Sequence, residues 1–83
     1  MAGYHLAEIE KQAYGTVEKI HEEVFELQDA ITQDCRIMQL VELSDIIGAV
    51  EGVLETHFPD FTLQDLIAMS AITKRAFRNG GRS

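Results

Sequence analysis

Tryptophan is absent from this 83-residue chain, and proline and cysteine occur once each. A lone Cys35 excludes an internal disulfide, so the fold must be held by packing or by assembly rather than by covalent staples. Apolar runs such as residues 46–50 are far too short to cross a bilayer, and the N-terminal MAGYHLAEIE lacks the basic and apolar blocks of a secretory signal. The expected compartment is therefore the cytoplasm. Positive charge is also scarce. Seven Lys and Arg stand against fourteen Asp and Glu, for a formal net charge of −7, and an acidic surface repels a phosphate backbone, which disfavours general nucleic-acid binding. Hydrophobic residues at 46% with charged residues at 25% nevertheless make this a globular composition, not a disordered one. At this length it reads as one domain, spanning residues 1–83, near the size where a chain alone buries a marginal core.

What the chain does have is acid in clusters. Glu22, Glu23 and Glu26 fall in HEEVFELQDA, and Glu42 and Asp45 in VELSDIIGAV. Both runs are apolar and periodic, so the acids project from helices at spacings of three and four and face one way. Like charges on neighbouring turns repel, and the arrangement calls for a cation. Hard divalent ions, Mg²⁺ first and Mn²⁺ as a substitute, prefer oxygen ligands and keep positions open for water and phosphate oxygens. Charge is also uneven along the chain. Between Glu18 and Asp60 eleven acids face only Lys19 and Arg36, a local sum of −9, whereas residues 74–83 carry Lys74, Arg75, Arg78 and Arg82 without an acid, a local sum of +4.

The periodicity predicts an all-α protein of three main helices. Leu6, Ile9, Ala13, Val17, Ile20, Val24, Leu27 and Ile31 alternate steps of three and four, which predicts a helix from about Tyr4 to Thr32; a break at Gly15, with Thr16 as a new cap, is the alternative. The polar stretch Thr32 to Arg36 reads as a turn. Beyond it, Ile37, Leu40, Val41, Leu43, Ile46, Ile47, Val50, Val53 and Leu54 form a second helix, apolar enough to be buried on more than one side. Phe58-Pro59-Asp60-Phe61 ends it, and Thr62 with Asp65 resembles a capping box that opens a third helix stopping near Asn79-Gly80-Gly81. Three such helices do not close a four-helix core. Helices from two or four copies are expected to complete the bundle, as a homodimer or homotetramer.

The 3.6-residue period places Lys19, Glu23, Glu26 and Ala30 along one face of the first helix and Met38, Glu42, Asp45, Ala49 and Gly52 along one face of the second. If these faces meet, Glu23, Glu26, Glu42 and Asp45 converge into an all-oxygen metal site. Glu22 and Glu23 are the candidate catalytic residues. Glu22, further round the first helix, fits a supporting contact to the ligands, a base for water, or a solvent-facing charge. Lys74, Arg75 and Arg78 share one helical turn and can grip a polyphosphate, or simply complement the helix dipole; Lys19 is either a phosphate ligand or a partner of its neighbouring acids.

The order E-E-x-x-E, spacer, E-x-x-D, followed by K-R-x-x-R, resembles the MazG-like all-α nucleoside triphosphate pyrophosphohydrolases, especially the short single-domain versions of phages and bacteria. The resemblance runs from about Lys19 to Arg78. It implies Mg²⁺ held by Glu23, Glu26, Glu42 and Asp45, and hydrolysis of a nucleoside triphosphate to the monophosphate and pyrophosphate. It also implies assembly through the bundle. The expected cytoplasm is bacterial, or the host's for a phage-encoded chain, and no membrane or nucleic-acid partner is expected from the apolar runs and the net charge. Set against it is a non-catalytic acidic helical protein that binds or regulates a partner. Other features are ordinary at these spacings. Glu18-x-x-His21 would suit a di-iron bundle, but carboxylates alone fill the other motif; His5 and His57 read as structural or exposed; Tyr14, Phe25 and Phe77 read as core or interface; and Gly48-x-x-x-Gly52 reads as a close helix contact.

Overall fold

The computed structural model describes residues 9–79, which form three helices and no strand: α1, Val17–Thr32; α2, Arg36–His57; and α3, Leu63–Arg78. The all-α reading holds. The single helix expected from Tyr4 does not, at least from residue 9 onward, because residues 9–13 have no regular secondary structure and α1 starts at Val17. Tyr4 and Leu6, together with His5, lie outside the described residues, as do Gly80, Gly81 and Arg82. The break falls at Gly15, whose φ of +91° is open to glycine and strained for other residues. Thr16 then caps the new helix, its hydroxyl accepting from the Lys19 backbone N–H at 3.2 Å and donating to the Ala13 carbonyl at 2.8 Å. Hydrophobic periodicity runs through residues 6–31 regardless, because it says nothing about where the backbone turns; nor does it mark the buried face of the single chain, in which Val17, Val24 and Ile31 are exposed.

The turn after α1 is tight. Gln33 donates its N–H to the Asp29 carbonyl, Asp34 adopts a φ of +56°, and Cys35 donates to the Ala30 carbonyl at 3.2 Å, which closes the open carbonyls of the last helical turn. The chain reverses within three residues. Accordingly Gly15 at the start of α1 meets Gly52 and Thr56 near the end of α2, an antiparallel hairpin. A Cβ on Gly52 would stand 2.8 Å from the Tyr14 ring, so the absence of a side chain there lets the segment before α1 lie against α2. Gly48 has nothing within 4 Å, so only Gly52 of the expected glycine pair serves close packing.

Phe58 ends α2, with its N–H on the Leu54 carbonyl at 2.8 Å, and Phe61 donates to the Phe58 carbonyl across Pro59. The predicted capping box opens α3: Thr62 N–H donates to Asp65 Oδ2 at 2.9 Å and Asp65 N–H to the Thr62 hydroxyl at 3.3 Å. α3 touches α2 and does not touch α1, and none of its residues is buried.

The interior is small and unusual. Among the described residues only Ala30, Ala49 and Leu54 are buried apolar residues, against five buried acids: Glu22, Glu23, Glu26, Asp29 and Glu42. Within the single chain α2 is not buried on more than one side as its composition suggested. Ile37 is 73% exposed and Leu40 64%, with Val41, Leu43 and Ile47 also open to solvent. Tyr14, Phe25 and Phe77, expected in core or interface, are each more than half exposed in the single chain.

A candidate metal centre between α1 and α2

Three of the four predicted ligands are buried where α1 faces α2. Glu23, Glu26, Glu42 and Asp45 each offer a carboxylate oxygen, and these four atoms lie within 4.8 Å of one another. Helical spacing accounts for the pairs, since Glu23 and Glu26 lie three apart on α1 and Glu42 and Asp45 three apart on α2. The tight turn brings the pairs together by setting α1 antiparallel to α2. Ala30, fully buried, and Ala49 let the two backbones approach next to the acids. Glu42 is the most deeply covered of the four, whereas Asp45 is exposed and forms the open side.

Glu22 is not the solvent-facing charge that was one of its readings. It is only 2% exposed, because residues 11 and 12 cross over it. The Gln12 backbone N–H donates to Glu22 Oε1 at 2.7 Å, and Lys19 Nζ donates to the same oxygen at 3.0 Å. Lys11 Nζ lies 3.5 Å from Glu22 Oε2 and 3.2 Å from Glu26 Oε2. Lys19 also reaches Glu23 Oε2 at 3.4 Å. Lys11 was missed by helical reasoning because it lies on the irregular segment before Gly15. Its only signal in the sequence is that it is a cation close ahead of an acidic run.

Among the described residues, the ammonium groups of Lys11 and Lys19 lie against Glu22, Glu23 and Glu26, while Glu42 and Asp45 add their carboxylates from α2. Burying a carboxylate without full pairing is costly, and the group responds by holding its proton more tightly. Burial pushes the Glu23 carboxyl above its ordinary range, the Glu26 charge adds to this, and Lys19 opposes it. Glu23 Oε1 is buried with no hydrogen-bond partner. Burial alone would raise Glu22 too, but the Gln12 N–H and the Lys19 ammonium outweigh it and hold that carboxyl below its usual value. The two neighbours are thus driven in opposite directions by what covers them.

The basic residues of α3 are not brought to this centre within one chain. Among the described residues no ion pair joins Lys74, Arg75 or Arg78 to the acids, and α3 makes no contact with α1. His57 lies in the last turn of α2 with its ring edge-on to Phe58, while His21 is exposed on α1. A groove of about 750 Å³ runs between residues 9–12 and α1, lined by Ile9, Gln12, His21, Phe25 and Gln28 among others, with Glu22 as the wall it shares with the acidic cluster. No helix among the described residues is long and apolar enough to cross a membrane. In comparisons with known proteins, no family model, no curated protein and no solved structure matches this chain.

Proposed function

We propose that this protein is a Mg²⁺-dependent nucleotide pyrophosphohydrolase that converts a nucleoside triphosphate to the monophosphate and pyrophosphate. The observation that carries this reading is the convergence of Glu23, Glu26, Glu42 and Asp45 within 4.8 Å. The buried, unpartnered Glu23 Oε1 beside them is a separate sign that a cation belongs there. An all-oxygen donor set of this kind suits Mg²⁺ or Mn²⁺ and suits Zn²⁺ poorly. When bound, such an ion neutralises phosphate oxygens and lowers the pKa of water.

The chain's own residues supply the rest. Hydrolysis forms one P–O bond to the water oxygen, breaks one phosphoanhydride P–O bond and moves a proton off the water. Glu23 is the better acceptor for that proton, because one of its oxygens has no hydrogen-bond partner whereas both oxygens of Glu22 are engaged. Glu22, engaged on both oxygens, instead fixes Lys19 and Lys11 at the rim. The groove beside Phe25 has the volume of a small-molecule site and accommodates the nucleoside.

The same reading needs a second copy of the chain. Exposed apolar residues on α2, such as Ile37 and Leu40, and on α3, such as Met69 and Ile72, exceed what a soluble monomer ordinarily leaves open. A homodimer or homotetramer that covers them also offers a route for Lys74, Arg75 and Arg78 to reach the polyphosphate of a neighbouring site. The distance of α3 from the acids favours the alternative, a non-catalytic acidic binding or regulatory protein, if that assembly does not form.

One assay separates the two. The protein is incubated with each common nucleoside triphosphate and Mg²⁺, and pyrophosphate is measured. Pyrophosphate release that stops on chelation, returns with Mn²⁺ and is abolished in Glu42→Gln is the expected result. Release that survives exhaustive chelation, or near-normal turnover in Glu42→Gln, overturns the metal site, and no release from any nucleotide leaves the binding-protein reading.

A further inference from the structure

Lys11 and Lys19 neutralise the same acids from different places. Lys19 belongs to α1, and its side chain is largely covered as it bridges Glu22 and Glu23. Lys11 arrives from the irregular segment before Gly15, and its side chain is 64% exposed although its amine rests on two buried carboxylates. The segment is tied down beside it by the 2.7 Å bond from the Gln12 backbone N–H to Glu22 Oε1, which limits how far the amine can swing. Of the two acids Lys11 touches, Glu26 is also one of the four that can ligate a metal.

We infer that Lys11 couples cation binding to phosphate binding, opposing a divalent ion that arrives alone and favouring one that arrives with a polyphosphate. The inference rests on the metal site proposed above and adds to it a residue and a rule of occupancy. A cation bound through Glu26 takes the nearer of the two carboxylates that hold Lys11, leaving its ammonium on Glu22 alone and close to a doubly charged ion. That repulsion opposes metal binding without substrate. Phosphate oxygens reverse the sign, because an exposed, tethered amine at the solvent side of the cluster then gains a charge-assisted acceptor. Lys19 is less able to do this, being covered and held between two acids of its own helix. The consequence is a site that fills with metal and phosphate together and resists metal alone.

The test measures Mn²⁺ affinity by calorimetry or electron paramagnetic resonance, and inorganic pyrophosphate binding to the Mn²⁺-loaded protein, in wild type, Lys11→Met and Lys11→Arg. For Lys11→Met, Mn²⁺ alone should bind about three- to tenfold more tightly, a range set by one exposed unit charge near the ion. Pyrophosphate binding should weaken by roughly tenfold, the loss of one charge-assisted contact. Lys11→Arg, which keeps the charge, should stay near wild type in both. Two unchanged affinities in Lys11→Met, or tighter Mn²⁺ with unaltered pyrophosphate binding, overturn the coupling; if Glu42→Gln meanwhile loses Mn²⁺, the metal site stands without it. A wild-type protein that binds no Mn²⁺ either alone or with pyrophosphate present overturns both.

Discussion

A buried carboxylate has three ways to lower its cost: a donor, a cation or a proton. Glu22 has the first two, whereas Glu23 is pushed toward the third. This difference has a measurable sign. The pKa of Glu23 is raised by folding, so its protonated form fits the folded state, and its contribution falls as pH rises from the ordinary carboxylate value through the raised one. Removing the charge in Glu23→Gln should therefore stabilise the metal-free protein, with little gain at low pH, where Glu23 is already neutral, and a growing gain as pH rises through that window. Thermal melts of both proteins across pH, in chelator, check this. A gain that shrinks with rising pH would mean that Glu23 is held by its partners and not strained by burial. Glu22 runs the other way, since its lowered pKa contributes stability above the ordinary value and loses it as pH falls through the folded one.

At the scale of elements, two glycines decide how the hairpin is trimmed. Gly15 combines a φ of +91° with a position where a Cβ would run into the Thr56 hydroxyl of α2. Both effects act against any side chain there, the first through backbone strain and the second through contact. Gly15→Ala should cost about 1–3 kcal/mol, read as a lower denaturation midpoint with an unchanged slope. It should also loosen the segment that carries Lys11 and Gln12 over Glu22. A neutral or stabilising Gly15→Ala would show that the chain passes smoothly from residue 9 into α1, as the uninterrupted periodicity alone would suggest. α3 is a different kind of element. Well capped by Thr62 and Asp65 yet unburied along its length, it has local signals for a helix and, among the described helices, only a slight contact with α2.

For the whole molecule, the question is what covers the apolar residues that the single chain leaves open. Three buried apolar side chains among the described residues are a slight core, and isolated helices of the length of α3 are marginal in water. The proposed assembly predicts a dimer or tetramer at micromolar concentration in analytical ultracentrifugation. Ile72→Glu, which places a charge where Ile72 is 68% exposed in the single chain, should shift that protein toward monomer and reduce the helical signal. If wild type sediments as a folded monomer, no second copy delivers Arg78 and the phosphate-gripping role rests on Lys11 and Lys19.

Helix number, the turn at Thr32 to Arg36, the capping box of α3 and the four converging acids were all legible in the chain, because each depends on spacing of three or four residues or on a short backbone signal. Lys11 was not. Its place over Glu26 depends on a left-handed glycine four residues later that folds the segment back along α1, and no periodicity encodes that contact. Nor did spacing reveal that Glu22 is covered, or that α3 stands apart from α1, since a helical wheel gives the direction of a side chain within its own helix and not what another segment lays across it. The sequence by itself thus determined which residues can share a face, through the fixed geometry of the α-helix. Only the tertiary structure decided which faces meet, because that depends on how tightly the turns close and how near glycine and alanine let two backbones come.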